Sequence, residues 1–235
     1  MGKIDYRKIY DLNQDEWKAL TREPQKYEAL LAGHYSDSNH FVYELLQNAE
    51  DARATKVVIE YDGDKLIFYH NGKPFDEEDI KGVSSMLMGT KDRNDATTIG
   101  KFGMGFKSVF KYTYQPEIYS DEEAFRIENY LLPVEIAGEW NYIEEKERLG
   151  YIVNGGGKFY PFSSSNHLTK FIIPFAKKKD DGSVVQVPGN EVLTKLESLT
   201  GEILLFLTYI KNLYWVDNTT GKFARIALSE VDKDK

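Results

Sequence analysis

The pattern of apolar and polar positions predicts the main elements of the chain. In SDSNHFVYELLQNAEDA, apolar residues recur at helical spacing behind the N-cap candidates Ser36, Asp37 and Ser38, which predicts a helix over 38–52. The stretch KVVIEYDGDKLIFYHNG holds two apolar runs on either side of an Asp-Gly pair and predicts a β-hairpin. FDEEDI predicts a short helix with Asp76 as its cap.

Further along the chain, strand and helix signals alternate without any internal repeat. The segment 7–32 predicts helix in pieces, broken at Pro24. Strand-like runs follow at about 115–130, 151–153 and 168–175, then a helix over 189–207 and a last strand pair in LYWVDNTTGKFARIAL. These elements predict an α+β fold, a two-layer sandwich of helices over a mostly antiparallel sheet.

Composition narrows the class of protein. The chain has 235 residues, 41% of them hydrophobic and 14% aromatic, which fits a single globular domain. No apolar run approaches the roughly 18 to 20 residues of a membrane span, and MGKIDYRKIYDL has no signal-peptide core. The absence of cysteine excludes disulfides and thiolate metal sites. We therefore expect a cytoplasmic protein that does not contact membranes.

The charge balance argues against nucleic acid as a partner. The net charge is -8 and the sequence pI about 5.2, which is opposite in sign to a nucleic-acid footprint. The one lysine cluster, KKK at 177–179, is followed at once by two aspartates. We interpret it as a solvated turn.

Three polar residues share one face of the predicted helix 38–52. Glu44, Asn48 and Asp51 are spaced i, i+4 and i+7. A carboxylate can take a proton from water, and an amide oxygen can ligate Mg²⁺. The spacing alone leaves two alternatives open, a polar pocket wall and a solvated helix face.

A glycine-rich segment lies in the middle of the chain. IGKFGMGFKSVF, residues 99–110, carries three glycines directly before a predicted helix, and glycines allow a ligand close to the backbone. It does not match the P-loop pattern, and no parallel crossover surrounds it as in a dinucleotide-binding unit. The preceding polar loop, about 82–99, has the length and composition typical of a lid.

Four ordered motifs resemble those of the GHKL ATPases, the family of gyrase B, MutL, histidine kinases and the large heat-shock chaperones. ELLQNAEDA, beginning at Glu44, resembles the family's N-box, and HNGKPF (70–75) stands where the family has Asp-x-Gly-x-Gly. IGKFGMGFKS resembles the second glycine motif, and HLTKFIIPF the terminal Thr-bearing strand. The match runs from about residue 30 to 175, and its wording is most similar to the sacsin-like branch. The resemblance implies the Bergerat (GHKL) ATP-binding fold.

The resemblance also implies a site for ATP and Mg²⁺. Glu44 matches the general base that activates water, and Asn48 matches the Mg²⁺ ligand. Asp51 matches a residue that supports the pocket, Gly72 one that lies close to the base, and Thr169 one that bonds the adenine-side water network. The resemblance further implies nucleotide contacts for His70, Asn71, Lys101, Gly103, Met104, Gly105, Phe106 and Lys107. Of these, the two lysines face either phosphate or solvent. Ser108 is interpreted as a helix cap.

His70 departs from the family pattern, which has aspartate there to accept a hydrogen bond from adenine. A neutral imidazole can accept one hydrogen bond, and its protonated form cannot. The alternatives are adenine held by His70 or by water, adenine held by Asn71, or a different base. A further alternative is that His70 only ends a strand.

We expect residues 1–235 to form a single domain with its core at about 30–175, closed by elements over 189–228, and to be the N-terminal part of a longer protein. Its partners are ATP or ADP, downstream domains and, as an option, a second copy of the chain. One hypothesis is a slow Mg²⁺-dependent ATPase whose lid couples nucleotide state to conformation. The alternative is a nucleotide-sensing or degenerate binding module without significant turnover.

Overall fold

The computed structural model describes residues 4–22, 40–85, 105–138, 140–149, 152–154, 157–159, 162 and 165–227. The helices are α1 (Tyr6–Thr21), α2 (His40–Asp51), α3 (Glu77–Ser84), α4 (Tyr142–Leu149), α5 (Asn190–Glu197) and α6 (Glu202–Leu205), with a 3₁₀ helix η1 (Gly105–Lys111). The strands are β1 (Lys56–Tyr61), β2 (Lys65–His70), β3 (Glu117–Ser120), β4 (Glu123–Glu128), β5 (Leu132–Glu135), β6 (Ile152–Asn154), β7 (Gly157–Phe159), β8 (Thr169–Pro174), β9 (Ala176–Lys178), β10 (Val184–Gln186), β11 (Asn212–Asp217) and β12 (Lys222–Ala227).

An eight-stranded sheet forms the centre of the fold, in the order β12-β11-β1-β2-β8-β3-β4-β5. The pair β1–β11 is parallel, and the other neighbouring strands in this sheet are antiparallel. Two small antiparallel pairs, β6–β7 and β9–β10, lie outside it. The predicted fold class, helices with a mostly antiparallel sheet, is confirmed.

Each face of the sheet buries its own apolar cluster, because side chains alternate along a strand. The larger cluster includes Val57 and Ile59 of β1 and packs against α1, α2, α3, η1, α5 and α6. The opposite face carries Val58 with Leu149 of α4. On that face the Arg148 guanidinium of α4 lies 3.0 Å from the nearly buried carboxylate of Glu60. Helix α4 therefore adds partial cover to the second face of the sheet.

Several predicted elements are confirmed. Helix α2 occupies 40–51, and β1 and β2 flank the turn at Gly63, whose φ is +83°. Asp76 caps α3 in a capping box, because its carboxylate accepts from the Asp79 N–H while that of Asp79 accepts from the Asp76 N–H. The strand pair β11–β12 also forms as predicted.

The single helix predicted over 189–207 is wrong. The structure has two helices, because α5 ends at Glu197 and α6 begins only at Glu202, after Gly201. Glycine disfavours a helix interior, and the hydroxyl of Ser198 donates back to the carbonyl oxygen of Lys195 at the end of α5. The first helix therefore ends earlier than the spacing of apolar residues predicts.

Candidate functional site

Helix α2 carries a polar row beside a buried apolar stripe. Phe41, Leu45 and Ala49 pack into the core. In the row itself, Asn48 is only 3% exposed, Glu44 is half-buried and Asp51 is exposed. A solvated helix face would expose all three, so the row runs from a buried site at Asn48 to the surface at Asp51.

The C-terminal end of α2 is fixed against the loop that follows β2. Arg53 adopts a left-handed conformation (φ 57°), and the N–H of Ala54 donates to the carbonyl oxygen of Ala49, which closes the helix. The N–H of Lys73 then donates to Ala52 at 2.8 Å. A Cβ placed on Gly72 would lie 2.6 Å from the Ala52 carbonyl oxygen. Position 72 therefore requires glycine because its backbone lies against Ala52, directly after the C-terminal end of α2.

The carboxylate of Glu44 packs against the start of η1. A Cβ built on Gly105 would lie 1.8 Å from Oε2 and 2.5 Å from Cδ of Glu44. The predicted general base and the last glycine of the glycine motif are therefore direct neighbours. Glycine at 105 leaves the space that the carboxylate occupies.

Asn48 has an unsatisfied amide. Its Nδ2 atom is buried and has no hydrogen-bond partner in the part of the chain that the structure describes. Buried polar atoms are nearly always paired, so this nitrogen leaves a place for a partner such as a water or a ligand. The side-chain amide can also turn to present its oxygen, the atom that Mg²⁺ accepts as a ligand. Among the described residues, no group of three His, Cys, Asp or Glu forms a metal site. One amide ligand fits a cation whose other ligands are phosphate oxygens and water.

His70 is completely buried at the end of β2, beside the rings of Phe68 and Phe171 at centroid distances of 6.4 and 6.0 Å. Its Nδ1 accepts a hydrogen bond from the Gly72 N–H at 3.1 Å. Burial lowers the pKa of His70 to about 3, so its imidazole is neutral at physiological pH. Nε2 has no partner among the described residues.

His70, Thr169 and an unpredicted residue, Ser120, form a second polar row, which runs across the sheet. Thr169 stands opposite His70 in the β2–β8 register, and Ser120 stands opposite Thr169 on β3. The two hydroxyl oxygens are 2.7 Å apart, and the N–H of Phe75 donates to Ser120 at 2.9 Å. No motif marks Ser120; only the register of two strands distant in sequence places it here.

The Asn71 side chain is engaged within the protein. Its Oδ1 accepts from the N–H groups of Thr55 and Lys56, and its Nδ2 donates to the hydroxyls of Thr55 and Ser165. This amide holds the loop after β2 to the start of β1. Its bonding leaves little capacity for a base.

The amine of Lys107 is buried against backbone carbonyl oxygens. The residue is 1% exposed, and its Nζ donates to the carbonyl oxygens of Val83 and Tyr130, each at 2.5 Å. Neither predicted environment, phosphate or solvent, matches this buried position. The Ser108 hydroxyl donates to the Gly105 carbonyl oxygen, so it does not cap η1 as predicted.

Of the remaining predicted residues, Phe106 is described by the structure and three others are not. Phe106 is buried with its ring 6.0 Å from that of Phe171. Lys101, Gly103 and Met104 lie outside the described residues, as does the lid apart from 82–85.

Comparisons with known proteins agree with this architecture. Residues 28–134 match the family described as Sacsin domain. Sacsin of Homo sapiens is 33% identical over 107 residues, covering 38% of this chain and 2% of Sacsin. Protein NO VEIN of Arabidopsis thaliana is 31% identical over 112 residues, covering 42% of this chain and 4% of that protein. The chain therefore spans only a small part of the length of these relatives.

A solved structure shares the fold. The B-subunit of the DNA gyrase from Myxococcus xanthus superposes with a TM-score of 0.50 at 14% identity, over 90% of this chain and 56% of that one. Within the described residues, no helix has the length and apolar character that a membrane span requires. The family match over residues 28–134, the two relatives and the shared fold together support a sacsin-like GHKL domain in this chain.

Proposed function

We propose that this domain binds ATP together with Mg²⁺ beside α2 and hydrolyses it slowly to ADP and phosphate. The observation that carries the proposal is the buried amide of Asn48, one helical turn from Glu44, whose Nδ2 has no partner among the described residues. The family match and the gyrase-like fold support a nucleotide as the missing partner. The row of His70, Thr169 and Ser120 supplies the end of the site where a base would lie.

In this proposal Glu44 positions the attacking water and takes its proton as the water oxygen bonds to the γ-phosphorus. The bond from that phosphorus to the bridging oxygen breaks, and ADP leaves with the electron pair. The side-chain oxygen of Asn48 would hold Mg²⁺, which when bound neutralises charge on the phosphate oxygens. Gly105 leaves room for the Glu44 carboxylate at the start of η1.

The proposal extends to the rest of the chain. Residues 82–99 would act as a lid that couples nucleotide state to conformation. At its described end, Asn13 donates to the carbonyl oxygen of Ser84 and Lys107 to that of Val83. Residues 1–235 would form a single domain, because β11 pairs with β1 in the central sheet. This domain would be the N-terminal part of a longer protein. Further partners would be downstream domains and a second copy of the chain.

A nucleotide-binding module without turnover is the second candidate function. The observation that favours it is His70, whose neutral imidazole stands where the resemblance implies an aspartate. Turnover measured above the buffer background would contradict this alternative.

Replacing Asn48 with alanine is expected to weaken Mg²⁺-dependent ATP binding at least tenfold, because the change removes the only polar side chain that the proposal assigns to the metal. Calorimetric titration with and without Mg²⁺ measures this effect. Gln47→Ala, an exposed change on the same helix, is the matched control and should bind like the wild type. If well-folded wild-type protein binds no nucleotide, the proposed function is wrong.

Replacing Gly105 with alanine is expected to lower turnover about tenfold or more while the protein remains folded. The new Cβ would overlap the Glu44 carboxylate, which lies at the far end of a side chain with rotatable bonds and would have to turn away from its present position. Phosphate release and chemical denaturation measure the two effects. Unchanged turnover in this variant would show that the position of Glu44 beside Gly105 does not matter for hydrolysis.

A further inference from the structure

The hydrogen bond from Gly72 fixes where His70 carries its proton. Nδ1 accepts the Gly72 N–H at 3.1 Å, so this nitrogen is unprotonated. The buried ring is neutral, and a neutral imidazole then has its single proton on Nε2. Nε2–H is therefore a buried donor, and no group in the described part of the chain accepts its proton.

The neighbouring hydroxyls add a second donor to the same row. Thr169 and Ser120 hold two hydroxyl protons, and their mutual hydrogen bond at 2.7 Å uses one of them. The Phe75 N–H donates to Ser120, so this contact takes up a lone pair and no proton. Among the described residues, nothing accepts the second proton. Since cross-strand neighbours have Cβ atoms about 4.5–5.5 Å apart, His70 and Thr169 lie side by side, and Ser120 follows Thr169 in the same row.

We propose that this row binds a purine through its acceptor atoms, and that 6-oxopurine nucleotides bind as tightly as ATP or more tightly. This inference rests on the proposed function and concerns the same site. A 6-oxo group accepts the Nε2–H proton of His70, whereas a 6-amino group presents a donor to a donor. A buried site whose donors are left unpaired disfavours the ligand that fails to pair them.

Calorimetric titration of the wild-type protein with Mg·ATP, Mg·ITP and Mg·GTP tests the proposal. ATP and ITP have the same size and phosphates and differ at the six-position and N1, so their affinity ratio isolates the edge of the base. The expected result is an ITP dissociation constant equal to or below that of ATP. Tighter binding of ATP than of ITP would overturn the inference while leaving the proposed function standing. If no nucleotide binds, both are wrong.

A charge-carrying acceptor at position 70 should reverse the preference. We expect His70→Asp to shift the ITP-to-ATP affinity ratio toward ATP by about tenfold or more, the effect of one charge-assisted hydrogen bond. His167→Gln, a change at an exposed histidine, should leave the ratio as in the wild type. An unchanged ratio in folded His70→Asp would show that this residue does not read the base.

A measurement on the wild-type protein keeps the inference testable if His70→Asp does not fold. In ¹⁵N-histidine-labelled protein, the four histidines give separate long-range ¹H–¹⁵N patterns that report the protonated nitrogen. His70 should show protonated Nε2 and unprotonated Nδ1 at neutral pH. The opposite tautomer would place an acceptor at Nε2 and overturn the proposal.

Discussion

Replacing Glu44 with glutamine is expected to lower ATP turnover by about 10²- to 10⁴-fold and to leave nucleotide affinity within about threefold of the wild-type value. The factor is that of a general base removed from a reaction in which water must lose its proton. Glutamine keeps the size of the side chain, and so the packing against Gly105, but it cannot take up the proton. Phosphate release under single-turnover conditions measures the rate, and calorimetry measures the affinity.

The matched control for this prediction is again Gln47→Ala, because residue 47 lies on α2 but is exposed. It should turn over ATP like the wild type. Equal turnover by Glu44→Gln and wild type would mean that another group activates the water. If the wild type itself binds ATP without releasing phosphate, the binding-module alternative is favoured.

Lys107 is expected to make the stability of the protein rise between about pH 7 and pH 10.5. Burial lowers the pKa of this lysine from 10.5 to about 7. In that window the unfolded chain keeps a proton that the folded chain has released, so rising pH favours the folded state. The slope is about 1.4 kcal/mol per pH unit, or roughly 3 to 5 kcal/mol over the window. Below pH 7 both states are protonated and this contribution is constant.

Comparison with Lys107→Met isolates this effect. Methionine fills the same space but cannot titrate, and loss of the bonds to Val83 and Tyr130 adds a cost that does not depend on pH. The difference in unfolding free energy between wild type and variant, from urea denaturation at several pH values, should therefore grow from pH 7 to 10.5. Lys111→Met, at the exposed end of the same helix, is the control. Parallel profiles for wild type and Lys107→Met would contradict the prediction.

The sequence predicts those parts of the fold that depend on local pattern. Helix α2, the hairpin at Gly63 and the Asp76 cap follow from spacing, turn chemistry and capping residues over a few positions. Helix α4 was not predicted, although its signal is present. Asn141 accepts from the N–H groups of Ile143 and Glu144, ahead of acidic and then basic residues.

The parts of the candidate site that the sequence does not predict depend on contacts between distant residues. Ser120 joins the row only through the pairing of β3 with β8. Lys107 has the sequence context of a phosphate ligand, and only the packed structure shows its amine buried against two carbonyl oxygens. The tautomer of His70 likewise follows from one backbone N–H whose position depends on the packing of Gly72 against α2.

The parallel pairing of β1 with β11 also has a consequence for solubility. The outermost strands of the sheet are protected against pairing with other chains, β5 by Pro133 and β12 by Lys222 and Arg225. Strand β1 has weaker protection, because its charged residues are Lys56 at its first position and the buried Glu60, and the other four residues are apolar. A shortened chain ending near residue 175 would keep every recognised motif but leave β1 as an unpaired, largely apolar edge. Such a fragment would aggregate through that edge, and the segment up to Ala227 therefore acts as a built-in shield against self-association.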